Sequence, residues 1–265
     1  MREYFEAGVR RAHQVPTLSA CAVELIGHRS VVLSNGADLV TLSRDVDGLL
    51  PGGISLATNT FESVRAVLAG REPGQSVPSW LGEAALPLPR DLTLQPGNVL
   101  PDVVAELAEL LRADEPGAGL IDPTLLRSRA AGLVPALSHP QWARRELTDL
   151  IGVGPGTTPS GDDIVVGAIA GLVLTGRRRE LNMIGGLVSG LLLRTTRTSQ
   201  HFLGWALRGH FASTVLAVAD GLRGVTPLAP AVTELRGWGS SSGTDLLHGL
   251  LGVLSAPRLA KDGVA

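Results

Sequence analysis

The chain is expected to be α+β: a small β-rich, barrel-like N-terminal part followed by an all-α helical bundle. Three observations predict this. Short β-rich runs alternate with turn dipeptides through the first hundred residues. Near Val99 the apolar period changes to that of a helix. And 265 residues, 44% apolar and 18% charged, are enough to bury a large core and too apolar for disorder. The boundary is placed near Gly97, giving a β-rich domain over 1–97 and a helical domain over 98–265. With only 3% aromatic residues, the core must be Leu, Val, Ile and Ala.

In chain order, LSACAVELI (18–26) and SVVLS (30–34) are strand-like and flank Gly27, His28 and Arg29. NGADLVTL (35–42) is a turn dipeptide running into a strand. GGISLAT (52–58) and QSVPSWL (75–81) continue the pattern. FESVRAVLAG (61–70) fits a short helix or a strand, and the Pro-studded 85–98 is extended. The expected unit is small, curled and mostly antiparallel. In VVAELAELLR (103–112), Val104, Leu107, Leu110 and Leu111 share one helical face, and Pro101 and Asp102 mark its start. Eight further helical segments follow. Several are apolar nearly all round and rich in Gly and Ala, which suits the buried middle of a bundle.

Composition excludes several function classes. The net charge is −2 and the pI about 6.3, so the basic footprint of a nucleic-acid binder is missing. RRRE (177–180) and WARRE (142–146) are expected to be solvated helix ends. A single cysteine, Cys21, allows neither an intrachain disulfide nor a Cys-rich zinc site. The N-terminal MREYFEAGVRRAHQV has no apolar segment of the kind a signal peptide needs. No apolar run is long enough to span a membrane. A soluble cytoplasmic protein is the expectation.

The densest motif is GVGPGTTPSGDD (152–163), followed at once by an apolar run. Part of it reads as a helix start. Ser160 and Asp163 have the spacing of a capping box, and both aspartates suit the positive end of a helix. A cap does not need four glycines and two prolines. Gly152, Gly154, Gly156 and Gly161 let backbone amides approach a bound group, and Pro155 and Pro159 stiffen the loop. A helix N-terminus beneath it favours phosphate or carboxylate. Thr157, Thr158 and Ser160 add hydroxyls. The spacing imitates a P-loop, but Asp162 stands where the lysine belongs, so a P-loop NTPase is rejected. The acids could instead bind Mg²⁺ or orient the amide or amino group of a substrate.

The motif has an echo. SGDDIVVGAIAGL starts at Ser160 and SGTDLLHGLLGVL at Ser242, which aligns Asp163 with Asp245 and Gly167 with Gly249. Two loop–helix units facing one pocket is the sharper reading, and a chance match the blander one. A second polar cluster, LLRTTRTSQH (192–201), offers Arg197 as a fork for carboxylate or phosphate. It also reads as a helix-end charge beside a new cap at Thr198 or Ser199. His201, His210 and His248 are weaker acid–base candidates, since a lone histidine on an apolar helix is more often structural. No Ser-His-Asp or Cys-His constellation can be read from the spacing.

GVGPGTTPSGDDIVVG resembles the hallmark of a bacterial domain family that includes the AllH-type subunits of oxamate carbamoyltransferase. TTRTS (195–199) and GWGSSSGTDLLHG (237–249) resemble its two later blocks, in matching order. The resemblance covers mainly 139–253. Thr157 departs from it, standing where a larger apolar residue is common, and the N-terminal half carries no clear signature. The resemblance implies carbamoyl transfer between oxamate and phosphate in allantoin catabolism, with partner chains of the FdrA and AllG types and no redox cofactor.

On that basis Asp162, Asp163 and Arg197 are the expected catalytic residues. Gly154, Gly156, Thr158, Ser160, Gly161, Thr196, Ser199, Ser242 and Asp245 are expected to hold a small anionic substrate. No cofactor is firmly implied; Mg²⁺ is the cation that suits the acids. The alternative is a non-catalytic assembly or small-anion-binding subunit of such a complex. A stand-alone enzyme on another amide or carboxylate, and a purely structural role, are further readings. The Gly- and Ala-rich helices suit a tight core or a homo-oligomer interface equally.

Overall fold

The computed structural model describes residues 10–12, 15–82, 88–112 and 123–257. Most of the N-terminal segment discussed above, and residues 85–87 of the extended stretch, lie outside them. The chain divides into two compact units: Met1–Thr93 with Phe211–Thr214, and Leu94–His210 with Val215 onward.

The first unit is a six-stranded mixed sheet. Its strands are β1 (Arg10–Ala12), β2 (Ala22–Ile26), β3 (Ser30–Ser34), β4 (Leu39–Arg44), β5 (Gly53–Leu56) and β6 (Pro89–Arg90), in the spatial order β2-β3-β4-β5-β1-β6. β2–β3, β3–β4 and β1–β5 pair antiparallel; β4–β5 and β1–β6 pair parallel. Three of the five pairs are therefore antiparallel, in line with the turn-rich sequence. β3, β4 and β5 are buried almost throughout, which is why they read as apolar runs rather than as an alternation. Helix α1 (Thr58–Leu68) sets Phe61, Val64 and Leu68 into the core formed with Val31, Leu33, Val40, Leu42, Ile54 and Leu56.

The 61–70 segment, open between helix and strand, is thus helical. QSVPSWL gives only a bridge at Ser76 to Ala22 and a short helix, α2 (Ser79–Gly82). The bridge still has a use. Val23 N donates to Gln75 O at 2.8 Å and Val77 N to Cys21 O at 3.1 Å, so this segment covers the edge of β2. Phe211–Thr214 joins this unit through backbone bonds: Phe211 N to Leu92 O and Ser213 N to Leu49 O.

The second unit is helical: α3 (Pro101–Arg112), α4 (Pro123–Ala136), α5 (Pro140–Leu150), α6 (Ser160–Leu174), α7 (Arg178–Ser189), α8 (Arg197–Leu207), α9 (Ser213–Leu222), α10 (Leu228–Arg236) and α11 (Ser242–Ser255). α9 begins in the segment shared with the first unit. All fifteen residues of α6 are buried. Its Ile164, Val165 and Val166 are poor helix formers. Burial, not propensity, holds this helix. α11 packs along it most extensively, and α4, α5, α7 and α8 surround it.

One expected solvated end is otherwise placed. Arg178 and Arg179 are exposed, but Arg177 is buried and donates through Nη2 to Ala256 O at 2.5 Å. No helix among the described residues is long and apolar enough to cross a membrane.

Candidate functional site

The 152–159 loop is a closed structure built on its own backbone. Val153 N donates to Leu150 O at 3.0 Å, and Gly161 N returns to Val153 O at 2.9 Å. Gly152, Gly154 and Gly156 all have positive φ, at 82°, 129° and 90°, a region that favours glycine. A Cβ on Gly161 would collide with the Leu150 carbonyl. Gly161 is therefore required by packing, and its amide is already spent within the loop.

The capping-box reading is corrected here. The residue before the first turn of α6 is Pro159, and no side chain caps the helix. Asp162 N and Asp163 N both donate to Pro159 O, at 2.9 and 3.2 Å. Ser160 is the first helical residue, one position too late to cap. Its hydroxyl, like the Asp163 carboxyl, is turned to the neighbouring helix.

Asp162 clamps two segments. Its Oδ1 accepts from Gly152 N at 2.9 Å, and its Oδ2 accepts from the Thr195 hydroxyl. Burial pushes its carboxyl up from the usual range, while the donors Thr195, Gly152 N–H and Ser199 pull the other way. Next along the chain, Thr196 caps α8. Its Oγ1 accepts from Ser199 N at 3.1 Å and donates to Thr157 O at 2.5 Å. The cap thus lies ahead of Thr198 and Ser199, and Arg197 is the first residue of α8, exposed beside the Thr196–Thr157 tie.

The echo is real in space. Thr158 Oγ1 and Ser242 Oγ are 3.0 Å apart. The Ser242 hydroxyl faces Asp163 and the Ser160 hydroxyl faces Asp245, each favouring the ionised form of that carboxyl. Each helix thus offers its first serine to the other helix's aspartate. Burial raises both carboxyls. Asp163, well above the usual range, is pushed further by the charges of Asp245 and Asp162, against the pull of Ser242 and Thr158. Asp245 is raised less, with Ser160 and Ser241 pulling down.

The N-termini of α6, α8 and α11 are therefore tied together through Thr157 and Thr158. Parallel helix ends gather partial positive charge and free N–H groups. Among the described residues, the amides of Gly154, Gly156, Thr157, Thr158 and Ser160 make no hydrogen bond, whereas those of Gly152, Val153 and Gly161 do. Pro155, Gly156 and Thr157 are exposed.

Of the residues expected to act together, Asp162, Asp163, Thr158, Ser160, Thr196, Ser199, Ser242 and Asp245 join this network, and Arg197 stands at its rim. The structure adds Thr195, which lies in the TTRTS block and donates to Asp162. It also adds Ser241, beside Asp245. Its only signal was its place in the serine run before Asp245.

Two cavities lie elsewhere. One of 480 Å³ runs between α3, α4 and α11, lined by Leu111, Ala131, Leu251 and His248 among others; the other, of 360 Å³, is lined by residues including Asn98, Thr175 and Arg177. His201, a weaker candidate, accepts from Trp205 Nε1 at 3.1 Å, which fits a structural role. No group of three or more His, Cys, Asp or Glu able to hold a metal occurs among the described residues.

The family model described as Oxamate carbamoyltransferase subunit AllH matches residues 150–254. That span begins at the last residue of α5 and takes in the loop, α6, α8 and nearly all of α11. The resemblance drawn from the three motif blocks is borne out over it. No solved structure matches the chain.

Proposed function

We propose that the chain serves as the AllH-type subunit of a carbamoyltransferase, in the cytoplasm, and that the 152–159 loop with the N-termini of α6, α8 and α11 holds the anionic part of its substrate. The observation that carries this is the convergence of three helix N-termini under a loop in which the amides of Gly154, Gly156, Thr157 and Thr158 make no hydrogen bond among the described residues, within the segment matched by the family. Such ends favour phosphate or carboxylate. Arg197 at the rim adds a charged fork.

In the reaction this reading implies, a phosphate oxygen attacks the carbamoyl carbon of oxalurate. The tetrahedral carbon carries an oxyanion, which backbone N–H donors would stabilise. The bond to the oxamate nitrogen then breaks, the nitrogen takes a proton, and carbamoyl phosphate leaves. Asp162 acts in this scheme as a positioning residue, because both its oxygens are used to fix the loop. Burial favours the neutral form of Asp163 and Asp245, which lessens their opposition to an anion above them. Any Mg²⁺ would come bound to phosphate rather than on a protein cage.

The test is reconstitution. The chain mixed with FdrA-like and AllG-like partners is expected to form carbamoyl phosphate from oxalurate and phosphate. Arg197→Ala should cut that rate at least tenfold without loss of assembly. An assembled, active complex indifferent to Arg197→Ala and Thr158→Ala would favour the second reading, a non-catalytic assembly or anion-sensing subunit. That reading has its own support: the tip of the loop, Pro155 to Thr157, is exposed, and the loop lines neither of the two cavities.

A further inference from the structure

The segment between α7 and α8 lies against the loop. A Cβ on Gly152 would collide with the Arg194 carbonyl. Thr195 donates to Asp162 at the start of α6, and Thr196 to Thr157 O at the loop's tip. Three leucines in a row precede these contacts, and their surroundings differ. Leu191 is buried, Leu192 half-buried, and Leu193 is 94% exposed.

A lone exposed leucine is ordinary on most surfaces. This one stands beside a loop whose amides at Gly154, Gly156, Thr157 and Thr158 make no hydrogen bond among the described residues. Backbone donors stabilise an oxyanion best where water is excluded. The chain leaves Pro155, Gly156 and Thr157 exposed, and the loop lines neither of the two cavities. The matched family is that of an enzyme subunit.

Charge gives this surface a sign. The chain's net charge is −2, yet from Ile164 to Ala219 the one acidic residue is Glu180, and it is buried. In the same stretch Arg178, Arg179, Arg194, Arg197 and Arg208 are exposed. Arg194 directly follows Leu193 and reaches α5, donating from Nη2 to Thr148 O at 3.3 Å. Arg144, also exposed, precedes Thr148 by one turn on the same face of α5. The acids of that helix, Glu146 and Asp149, are paired with Arg129 of α4. Leu193 therefore stands in a band of positive charge.

We propose, resting on the function proposed above for the loop, that Leu193, Arg194, Arg144 and the tip of the loop form the seat of a partner chain, which closes the anion site from its open side. The partner that fits presents an apolar slot for Leu193, rimmed by aspartate or glutamate facing Arg194 and Arg144. The charges steer the encounter, and the buried leucine slows release. Arg197 stays with the anion. A second copy of this chain fits poorly, because in a two-fold interface the basic band would face itself.

The test is the binding kinetics of the full chain with its FdrA-like and AllG-like partners, for wild type, Leu193→Ala, Leu193→Asp and Arg194→Glu. Both positions are exposed, so the variants should unfold at the wild-type temperature. Leu193→Ala should raise the dissociation rate about tenfold, and Leu193→Asp should abolish binding. Arg194→Glu should slow association, as should raising the salt from about 0.05 to about 0.5 M for the wild type. In the wild-type complex, hydrogen exchange at Gly156 and Thr157 should slow. Binding of Leu193→Asp as tight as that of wild type, or loop exchange unchanged in the complex, overturns this inference and leaves the proposed function standing. A wild-type chain that binds neither partner overturns both. Self-association that Leu193→Asp abolishes assigns the surface to a second copy and overturns the inference as well.

Discussion

Gly167 of α6 and Gly249 of α11 interlock: the place of a missing Cβ on each falls under 3.0 Å from a backbone carbonyl of the other helix, that of Leu246 and that of Ile164. The two contacts are equivalent under the sequence echo that aligns Ser160 with Ser242 and Asp163 with Asp245. The echo in sequence is therefore a two-fold relation in space, and it brings two loop-bearing helix ends together.

Close backbone approach leaves no room for a side chain. Gly167→Leu and Gly249→Leu should each destabilise the chain by about 3 kcal/mol or more, at the upper end of overpacking costs. Gly156→Ala meets nothing within 4 Å, so only its positive φ is penalised, roughly 1–2 kcal/mol. Urea unfolding of the three variants would rank them. Equal losses for Gly156→Ala and Gly167→Leu would speak against the interlock.

Asp162 is expected to act on loop order. In Asp162→Ala the Gly152 amide and the Thr195 hydroxyl lose their acceptor, at a cost of about 1–3 kcal/mol. Hydrogen exchange should show faster exchange at Gly152 while the middle of α6 stays protected. Unchanged exchange at Gly152 would argue against the clamp.

Thr196 joins the cap of α8 to the loop. Thr196→Ala should cost about 1 kcal/mol for the lost cap and free Thr157. Thr196→Ser keeps the hydroxyl and should restore both stability and loop protection. Thermal unfolding of the pair checks this, and a serine variant no better than alanine would contradict it.

Much of the helical part was legible because its signals are local. Pro101 and Asp102 open α3, and the 3.6-residue period runs through it to Arg112. β3 and the start of β4 were equally plain. The 61–70 segment was ambiguous because Phe61, Val64 and Leu68 serve a helix face while FESVRAVL also carries strand formers. The loop was recognised as a site by composition, since a cap needs fewer glycines. Its wiring was not legible. That Gly161 is fixed by the Leu150 carbonyl, that Thr195 belongs to Asp162, and that Ser160 faces α11 rather than its own helix all depend on contacts between segments far apart in sequence. Spacing within one segment made Ser160 a cap, and only the neighbouring helix explains its other partner.

The central claim is that this loop and these helix ends hold an anion. Calorimetric titration with phosphate, carbamoyl phosphate, oxamate and oxalurate tests it most directly, using wild type and Arg197→Ala. Gly161→Val would be a poor probe, because the Leu150 carbonyl occupies the space its side chain needs. Saturable binding that weakens about tenfold or more in Arg197→Ala, at unchanged thermal stability, is the predicted result; the loss corresponds to one hydrogen bond to a charged group. Equal binding by both proteins, or no binding by the chain either alone or assembled with its partners, would contradict it.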